Sequence, residues 1–205
     1  MMNLLHHYLY RMRRAWVRLC RFRHRRGYGI HSPFAFAKVT GVFYERGTYY
    51  AYADLAAAYP VQPCGPTRRD LRLLLRLCND AMPRTALVWT AADDPATLAY
   101  LRAGRPSCHF SATTEAPHLA AVAVQPDLLY VDAGEQWPES LEPWLEATTD
   151  RSVLILRGIH RNRAMLAAWR RLQARQNVRV TFDLYEWGLA YFERRLNKQD
   201  YLISY

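Results

Sequence analysis

Lysine, cysteine and glycine are scarce in this sequence. Only Lys38 and Lys198 among the 28 basic residues are lysines, and the 205 residues include nine glycines and four cysteines. With an apolar fraction of 51%, this composition excludes collagen-like, low-complexity and mostly disordered chains. The cysteines lie far apart without a CxxC pair, so they indicate neither a zinc site nor a disulfide framework.

Long apolar runs are also missing. No run approaches the ~20 residues of a membrane-spanning helix. Arg11 to Arg14 interrupt the first apolar stretch after roughly ten residues, which argues against a signal peptide. We therefore expect a cytoplasmic protein with reduced thiols, built as one domain plus a short appendage.

Acidic residues are absent from residues 1–26, which hold eight arginines. The other residues carry 20 basic against 18 acidic side chains, so the net charge of +10 comes mostly from this segment. Apolar residues recur in it at helical spacing, at Leu5, Tyr8, Leu9, Met12, Trp16, Leu19 and Cys20. Arginines occupy most of the remaining circumference, at Arg11, Arg14, Arg18, Arg21 and Arg25. The pattern predicts a basic amphipathic helix.

Three roles are open for this helix. Its apolar face could lie in the headgroup region of an anionic membrane, with the arginines on the lipid phosphates, which would make the protein peripheral to a membrane. The arginines could instead contact the phosphates of a nucleic acid. Alternatively, the helix packs on its own domain and its basic face is solvated. No pattern in the sequence identifies a protein partner.

Residues 27–84 are predicted to be mainly helical. Ser32 before Pro33 is a helix-start signal, with serine as the N-cap and proline at the first helical position. Thr67 followed by Asp70 is a variant of the capping box and opens a later helix. A short helix is expected between the two, over residues 54–59. The first convincing strand comes only after this part of the chain.

From residue 85 to residue 205 the pattern alternates between strands and helices. Continuous apolar runs predict buried strands over 86–89, 127–132 and 152–156, with a weaker strand over 107–111. Helices are expected over 95–103, 115–122 and 162–176 and around Trp144. This alternation indicates an α/β domain with a mostly parallel sheet. The extended segments after residue 178 predict an antiparallel C-terminal edge.

Ligands of an open parallel sheet bind beyond the carboxyl ends of its strands, which makes the residues after each apolar run the candidates for a site. These residues are Thr90 to Asp94, Thr113 to Glu115, Asp132 to Glu135 and Arg157 to His160. Asp132 is the strongest single candidate, because a carboxylate at the end of a buried strand can hold an ammonium group, a hydroxyl or a metal. The alternative, held equal, is a cap of the turn that follows it.

The stretch Gly29-Ile30-His31-Ser32-Pro33-Phe34 is the most distinctive motif. Further along, Gly158-Ile159-His160 follows the strand over 152–156, and Gly188 to Phe192 follows Thr181 to Leu184. Together these segments resemble a bacterial family of small class I S-adenosylmethionine-dependent methyltransferases of the O-methyltransferase type, from about residue 25 to the C-terminus with a gap in the middle. The resemblance implies a Rossmann-like methyltransferase sheet with an N-terminal helical extension.

The chain departs from that family around the cofactor. The family carries an acid and two glycines after its first strand, because the backbone there contacts the methionine end of the cofactor. This chain has no glycine over residues 88–94, and Trp89 is expected in the turn. The family has a helix, a strand and another helix between its second strand and the strand that corresponds to 127–132. Here that segment is the thirteen residues 113–125, which leave room for one short helix, so the sheet is expected to lack one strand. The residues left to touch S-adenosylmethionine are Thr90, Asp93, Asp132 and Glu115, the last in place of the ribose-binding acid.

Catalytic candidates under the resemblance are Asp132, His160 and His31. Arg157-Gly158 replaces an acidic pair of the family, and one carboxylate does not hold a magnesium ion alone, so no metal site is expected. His160 could act as a general base and His31 could face the crevice, although a lone histidine at a helix start is more often structural.

Three functions follow from these patterns. The first is a methyltransferase-fold protein with a degenerate cofactor site, which acts as a binding or scaffold module without a cofactor. The second is an active O-methyltransferase that uses S-adenosylmethionine. The third is a basic peripheral-membrane or RNA-binding protein. The sequence leaves open whether the chain is an enzyme, and it does not identify a substrate.

Overall fold

The computed structural model describes residues 2–22, 27–62, 65–115, 125–132, 134, 137, 141–146 and 148–205, without the side chains of residues 2–8, 10 and 11. At its centre is a seven-stranded sheet of β1 (Thr85–Thr90), β2 (His109–Thr113), β3 (Leu128–Asp132), β4 (Val153–Arg157), β5 (Val180–Asp183), β6 (Trp187–Tyr191) and β7 (Gln199–Leu202). The strand order is β2-β1-β3-β4-β6-β5-β7. Neighbours pair in parallel except β6, which is antiparallel to β4 and β5. The predicted α/β class, with its mostly parallel sheet and antiparallel pairing toward the C-terminus, is confirmed.

Helices precede the sheet and connect its strands. They are α1 (Met2–Cys20), α2 (Pro33–Lys38) with a π-helical continuation (Val39–Phe43), α3 (Ala51–Ala58), α4 (Arg68–Ala81), α5 (Pro95–Gly104), α6 (Glu142–Glu146) and α7 (Arg163–Ala174). Both helix-start signals are confirmed, because Ser32 caps α2 and Thr67 forms a capping box with Asp70 on α4. The helix expected over 115–122 falls outside the described residues after Glu115.

Strand residues alternate between two apolar cores, one on each face of the sheet. Leu128 and Tyr130 of β3 pack in the core that also holds apolar residues of α2 and α4. Leu129 and Val131 pack in the opposite core, with residues of α6 and α7. Burial on both faces is the physical reason why β3 and its neighbours appear in the sequence as unbroken apolar runs.

The sheet has unequal edges. At one edge β2 is mostly exposed, whereas its neighbour β1 is buried along nearly its whole length. Among the residues that the structure describes, no strand lies between Thr113 and Leu128, and residues 116–124 fall outside the description. At the other edge β7 pairs in parallel with β5 and extends the sheet by one strand.

Helix α1 lies on the body of the protein with three arginines facing inward. Arg14 donates to both carboxylate oxygens of Asp70, at 2.9 and 3.3 Å. Arg21 pairs with Asp183 at 2.8 Å, and Arg18 Nε donates to the main-chain oxygen of Tyr205 at 2.6 Å. Because these arginines follow one another at intervals of four and three residues, they form one stripe along the helix.

The opposite face of α1 is apolar and exposed. Among the side chains that the structure describes here, the large apolar ones are between 54% and 69% accessible to solvent, at Leu9, Met12, Trp16, Leu19 and, just after the helix, Phe22. This arrangement is the opposite of a helix that packs through its apolar face and leaves its basic face solvated, which was one of the three predicted roles. The arginines face inward because acidic and main-chain oxygens of the body bind them. Arg25 and the side chain of Arg11 fall outside the description, and binding of lipid or nucleic acid by this segment stays a prediction.

Asp70 joins α1, α4 and β6 at one buried point. Its carboxylate accepts hydrogen bonds from Thr67, Arg14 and, at 3.1 Å, the indole nitrogen of Trp187. Burial raises the pKa of this carboxyl, but the hydrogen bond and charge of Arg14, together with Thr67 and Trp187, outweigh burial and lower the pKa to about 2. Asp70 therefore stays ionised inside the protein.

Acidification is expected to destabilise the protein through these carboxylates. A carboxyl whose pKa is lower in the folded chain contributes stability that is complete above its unfolded value of about 4 and is lost as the pH falls through its folded value. For Asp70 the folded value is about 2. Burial also raises the pKa of Asp183, but hydrogen bonds from His160 and Arg21 outweigh it and lower that pKa, so Asp183 acts in the same direction.

The free energy of unfolding should therefore fall by about 2 kcal/mol or more between about pH 5 and pH 2. Urea unfolding at a series of pH values measures this loss. In the variant Asp70→Asn the loss should be clearly smaller, because the amide does not titrate. An equally steep fall in that variant would show that Asp70 is not responsible.

Candidate active-site crevice

A crevice of about 630 Å³ opens at the carboxyl ends of β1, β3 and β4. The residues that line it from the sheet side end or follow these strands, and they are Thr90 to Asp94, Asp132, Gly134, Arg157 and Arg161. The last residue of α3, the stretch between α3 and α4, and one residue of α4 line it as well, at residues 58–62, Gly65, Pro66 and Leu71. The volume is in the range of small-molecule sites, and the position is where open α/β sheets bind ligands.

The turn from β1 to α5 enters this crevice without a glycine. Asp94 caps α5, because its carboxylate accepts hydrogen bonds from the main-chain nitrogen and the hydroxyl of Thr97, at 3.0 and 2.6 Å. The expectation that Trp89 stands in this turn is wrong. Trp89 is the penultimate residue of β1 and is fully buried in the core shared with α6 and α7, because its side chain alternates away from the opposite core.

Asp132 is held by an arginine of the neighbouring strand. Arg157 Nη1 lies 2.5 Å from Asp132 Oδ2, and Arg157 Nε lies 3.0 Å from Glu186 Oε1. Strand pairing produces this contact, since β3 and β4 are parallel neighbours and Arg157 pairs with Trp187, the residue after Glu186. The sequence did not predict this ion pair, and the two roles that it left open for Asp132, a ligand contact or a turn cap, stay predictions.

The charge of Arg157 is fixed by its two carboxylates. Burial alone lowers the pKa of the guanidinium, but the charges of Asp132 and Glu186 outweigh burial, and the net shift of the pKa is upward. Arg157 therefore stays charged between its two carboxylates. The arrangement is a row of the partly buried Asp132, the buried Arg157 and the buried Glu186, of which Asp132 and Arg157 line the crevice.

A second arginine, Arg161, lies beside the same carboxylate. Its Nη2 is 3.7 Å from Asp132 Oδ1, and 37% of its side chain is exposed. Gly158, in the left-handed region at φ 77°, makes room for it, because a Cβ there would lie 3.1 Å from the Arg161 guanidinium. The sequence analysis missed Arg161 and the lining residues between α3 and α4. A signal for Arg161 was its place four residues after Arg157, just beyond a predicted strand.

Three of the predicted site residues meet in the crevice. Thr90, Asp93 and Asp132 line it, with Thr90 and Asp93 in one turn and Asp132 on the adjacent strand. Glu115 is exposed after β2 and is bonded to Thr113 through its main chain, away from the lining residues described. His31 is exposed just before Ser32, the N-cap of α2, and also lies outside the described lining.

His160 belongs to a separate cluster under the end of α1. Its Nε2 lies 2.7 Å from Asp183 Oδ2 and 3.5 Å from Arg21 Nη2, and its ring stacks on Tyr185 with ring centres 4.8 Å apart. Arg21 holds the same carboxylate at 2.8 Å. The cluster ties α1 to the body, and His160 is not among the described residues that line the crevice.

The crevice residues fit the methionine end of S-adenosylmethionine poorly. Its ammonium group would need a carboxylate, and Asp132 is paired with Arg157 while Asp94 caps α5, so Asp93 is the acidic residue of the described lining that is left for it. A cofactor carboxylate placed beside Asp93 would meet a like charge. The turn carries side chains at every position where the resembled family has glycine. Among the described residues, no group of three His, Cys, Asp or Glu side chains is placed to hold a metal ion.

No family model and no curated protein matches this sequence. Solved structures do match. Cofactor-bound Rv0187 from MTB is similar at a TM-score of 0.51 and 14% identity, over 70% of this chain and 88% of that one. The SAH-bound methyltransferase PaMTH1 of Podospora anserina is similar at a TM-score of 0.50 and 9% identity, over 78% of this chain and 96% of that one. At these identities the likeness is one of fold alone, and this chain shares the Rossmann-like α/β fold of these two structures.

Proposed function

We propose that this protein is a methyltransferase-fold binding module whose crevice no longer uses S-adenosylmethionine. The observation that carries the proposal is the row of Asp132, Arg157 and Glu186. Arg157 pairs with Asp132, the carboxylate at the end of β3 where a ligand would bind. Releasing Arg157 would leave the partly buried Asp132 and the buried Glu186 without their closest cation.

The crevice itself supports a role in binding. It keeps the volume of a small-molecule site, and much of its lining is apolar, including Pro60, Val61, Pro66 and Leu71. Arg161 and Asp93 are the exposed charged groups among its lining residues. Such a crevice suits a ligand that places apolar atoms against the stretch between α3 and α4 and polar atoms near Arg161.

An active O-methyltransferase is the second candidate. Two observations favour it: the crevice lies at the carboxyl ends of β1 and β3, and the two similar solved structures are a cofactor-bound protein and an SAH-bound methyltransferase. In this case Arg157 would have to leave Asp132 before the cofactor could use that carboxylate, and Thr90 and Asp93 would contact the bound molecule.

Neither S-adenosylmethionine nor its demethylated product is expected to raise the melting temperature. A ligand at about 100 times its dissociation constant adds about 2.7 kcal/mol of stability, which corresponds to a shift of several degrees for a domain of this size. Calorimetric melting with each compound at millimolar concentration measures the shift. Isothermal titration calorimetry checks the same binding without heating.

The variant Asp132→Asn serves as the matched control for the crevice. A clear shift with the natural chain that Asp132→Asn abolishes would place the cofactor at Asp132, overturn the proposal and favour the methyltransferase. No shift in either chain is the result that the proposal requires.

A further inference from the structure

The outward face of α1 carries a row of exposed apolar side chains that the proposed function does not use. Leu9, Met12, Trp16 and Leu19 follow one another at intervals of three and four residues, and Phe22 extends the row. The inward stripe of Arg14, Arg18 and Arg21 fixes the helix to the body and so turns this row toward solvent. Soluble proteins rarely expose a contiguous apolar row of this kind unless it meets a partner.

We propose that this row docks α1 flat on an anionic membrane surface. Among the described residues no helix is long and apolar enough to cross a bilayer, so α1 would lie in the headgroup region. Trp16 and Phe22 are side chains suited to that region, and tryptophan in particular concentrates at membrane interfaces. The helix is already ordered on the body, so little ordering is left for the docking step.

The positive charge of this segment favours an anionic lipid surface over a second copy of the chain as the partner of the apolar row. Residues 1–26 carry eight arginines and no acid, so two such helices packed through their apolar rows would bring like charges together. Three of those arginines are neutralised or bonded inside the protein, but Arg13 is exposed on the helix, between Met12 and Trp16 in sequence. An anionic lipid surface complements both the apolar row and the remaining positive charge.

Nucleic acid suits the exposed face less well. An RNA or DNA strand would need arginines presented to its phosphates, yet Arg14, Arg18 and Arg21 point into the body. Among the described side chains of α1, those exposed to solvent are mainly hydrocarbon and an indole ring, with Arg13 beside them. We therefore treat nucleic-acid binding as an outcome that the experiment must separate from lipid binding.

Trp16 offers a direct reporter of docking. It is the exposed tryptophan of the chain, while Trp89, Trp137, Trp144, Trp169 and Trp187 are buried. On vesicles of mixed phosphatidylglycerol and phosphatidylcholine, the full chain should show a blue shift of its emission and weaker quenching by acrylamide. Vesicles of phosphatidylcholine alone should produce much less of either effect, and high salt should weaken the effect on the anionic vesicles.

Two variants test whether vesicle binding depends on the apolar row of α1 or on exposed apolar side chains in general. Trp16→Ser/Leu19→Ser should lower the partition onto anionic vesicles, measured by sedimentation, by about tenfold or more, since two large apolar side chains leave the docked face. Both residues are exposed, so the variant should melt like the natural chain. Tyr50→Ser removes an exposed aromatic elsewhere and should bind like the natural chain. Trp16→Phe should bind but lose the fluorescence change.

Three results would overturn the proposal. One is failure of the full chain to bind anionic vesicles at low salt, and another is equal binding by Trp16→Ser/Leu19→Ser. The third is a stable complex of the chain with itself or with single-stranded RNA that occupies this segment while vesicles stay free. Size-exclusion chromatography and a gel-shift with RNA distinguish the two forms of the third result.

Discussion

Replacing Asp70 with alanine is expected to lower the free energy of unfolding by about 3–5 kcal/mol, the range for removing one partner of a buried ion pair. The carboxylate is 1% exposed, and three elements meet at it. Its loss would leave Arg14 without its closest carboxylate and the buried indole N–H of Trp187 without its acceptor. It would also remove the acid from the capping box of α4.

Urea unfolding followed by near-ultraviolet circular dichroism measures this loss. The matched control is Asp80→Ala, which breaks the Lys38–Asp80 pair at 2.5 Å, where Asp80 is 25% exposed. That more exposed pair should cost about 1 kcal/mol or less. Equal losses in the two variants would mean that Asp70 is no more than a surface charge, and that α1 is not anchored as its contacts indicate.

The strands and helix caps could be predicted because their signals are local. A strand buried on both faces, such as β3, must be apolar along its whole length, and Thr67 with Asp70 caps a helix within four residues. The edge strand β2 was harder to place. It begins at His109, two residues later than predicted, because a mostly exposed strand carries little apolar pattern.

The orientation of α1 could not be predicted because its cause is not local. An amphipathic pattern defines two faces of a helix but does not say which one meets the body. The contacts that fix the orientation of α1 join Arg14 to Asp70, 56 residues later in the sequence, and Arg21 to Asp183, 162 residues later. Only the folded protein brings both carboxylates under this segment, so the sequence left open which face of α1 meets the body.

The site was predictable to the extent that strand ends mark it. Thr90 and Asp132 follow apolar runs on adjacent strands, and they do line the crevice. The partner of Asp132 is 25 residues away on β4, and only the register of β3 and β4 shows that the two side chains meet. Ion pairs of this type leave no periodic pattern in a sequence.

Replacing Arg157 with methionine is expected to lower the free energy of unfolding by about 3–5 kcal/mol. Methionine keeps much of the length of the side chain but leaves Asp132 and Glu186 without the buried cation that they share. Adding Asp132→Asn removes one of the two carboxylates that have lost their closest cation, so the double variant should regain part of the loss. A coupling of about 0.5–3 kcal/mol in this double-mutant cycle is the expected result.

Arg161→Met is the matched control, because Arg161 approaches the same carboxylate at 3.7 Å but is 37% exposed. It should cost about 1 kcal/mol or less. If Arg157→Met were tolerated as well as Arg161→Met, Asp132 would not depend on Arg157 and would be free to meet a ligand, which would remove the main support for a crevice without cofactor. The melting experiment with S-adenosylmethionine then tests whether the freed Asp132 is enough for cofactor binding. We expect that the cofactor does not raise the melting temperature of Arg157→Met either, because the turn from β1 to α5 lacks glycine whichever partner Asp132 has.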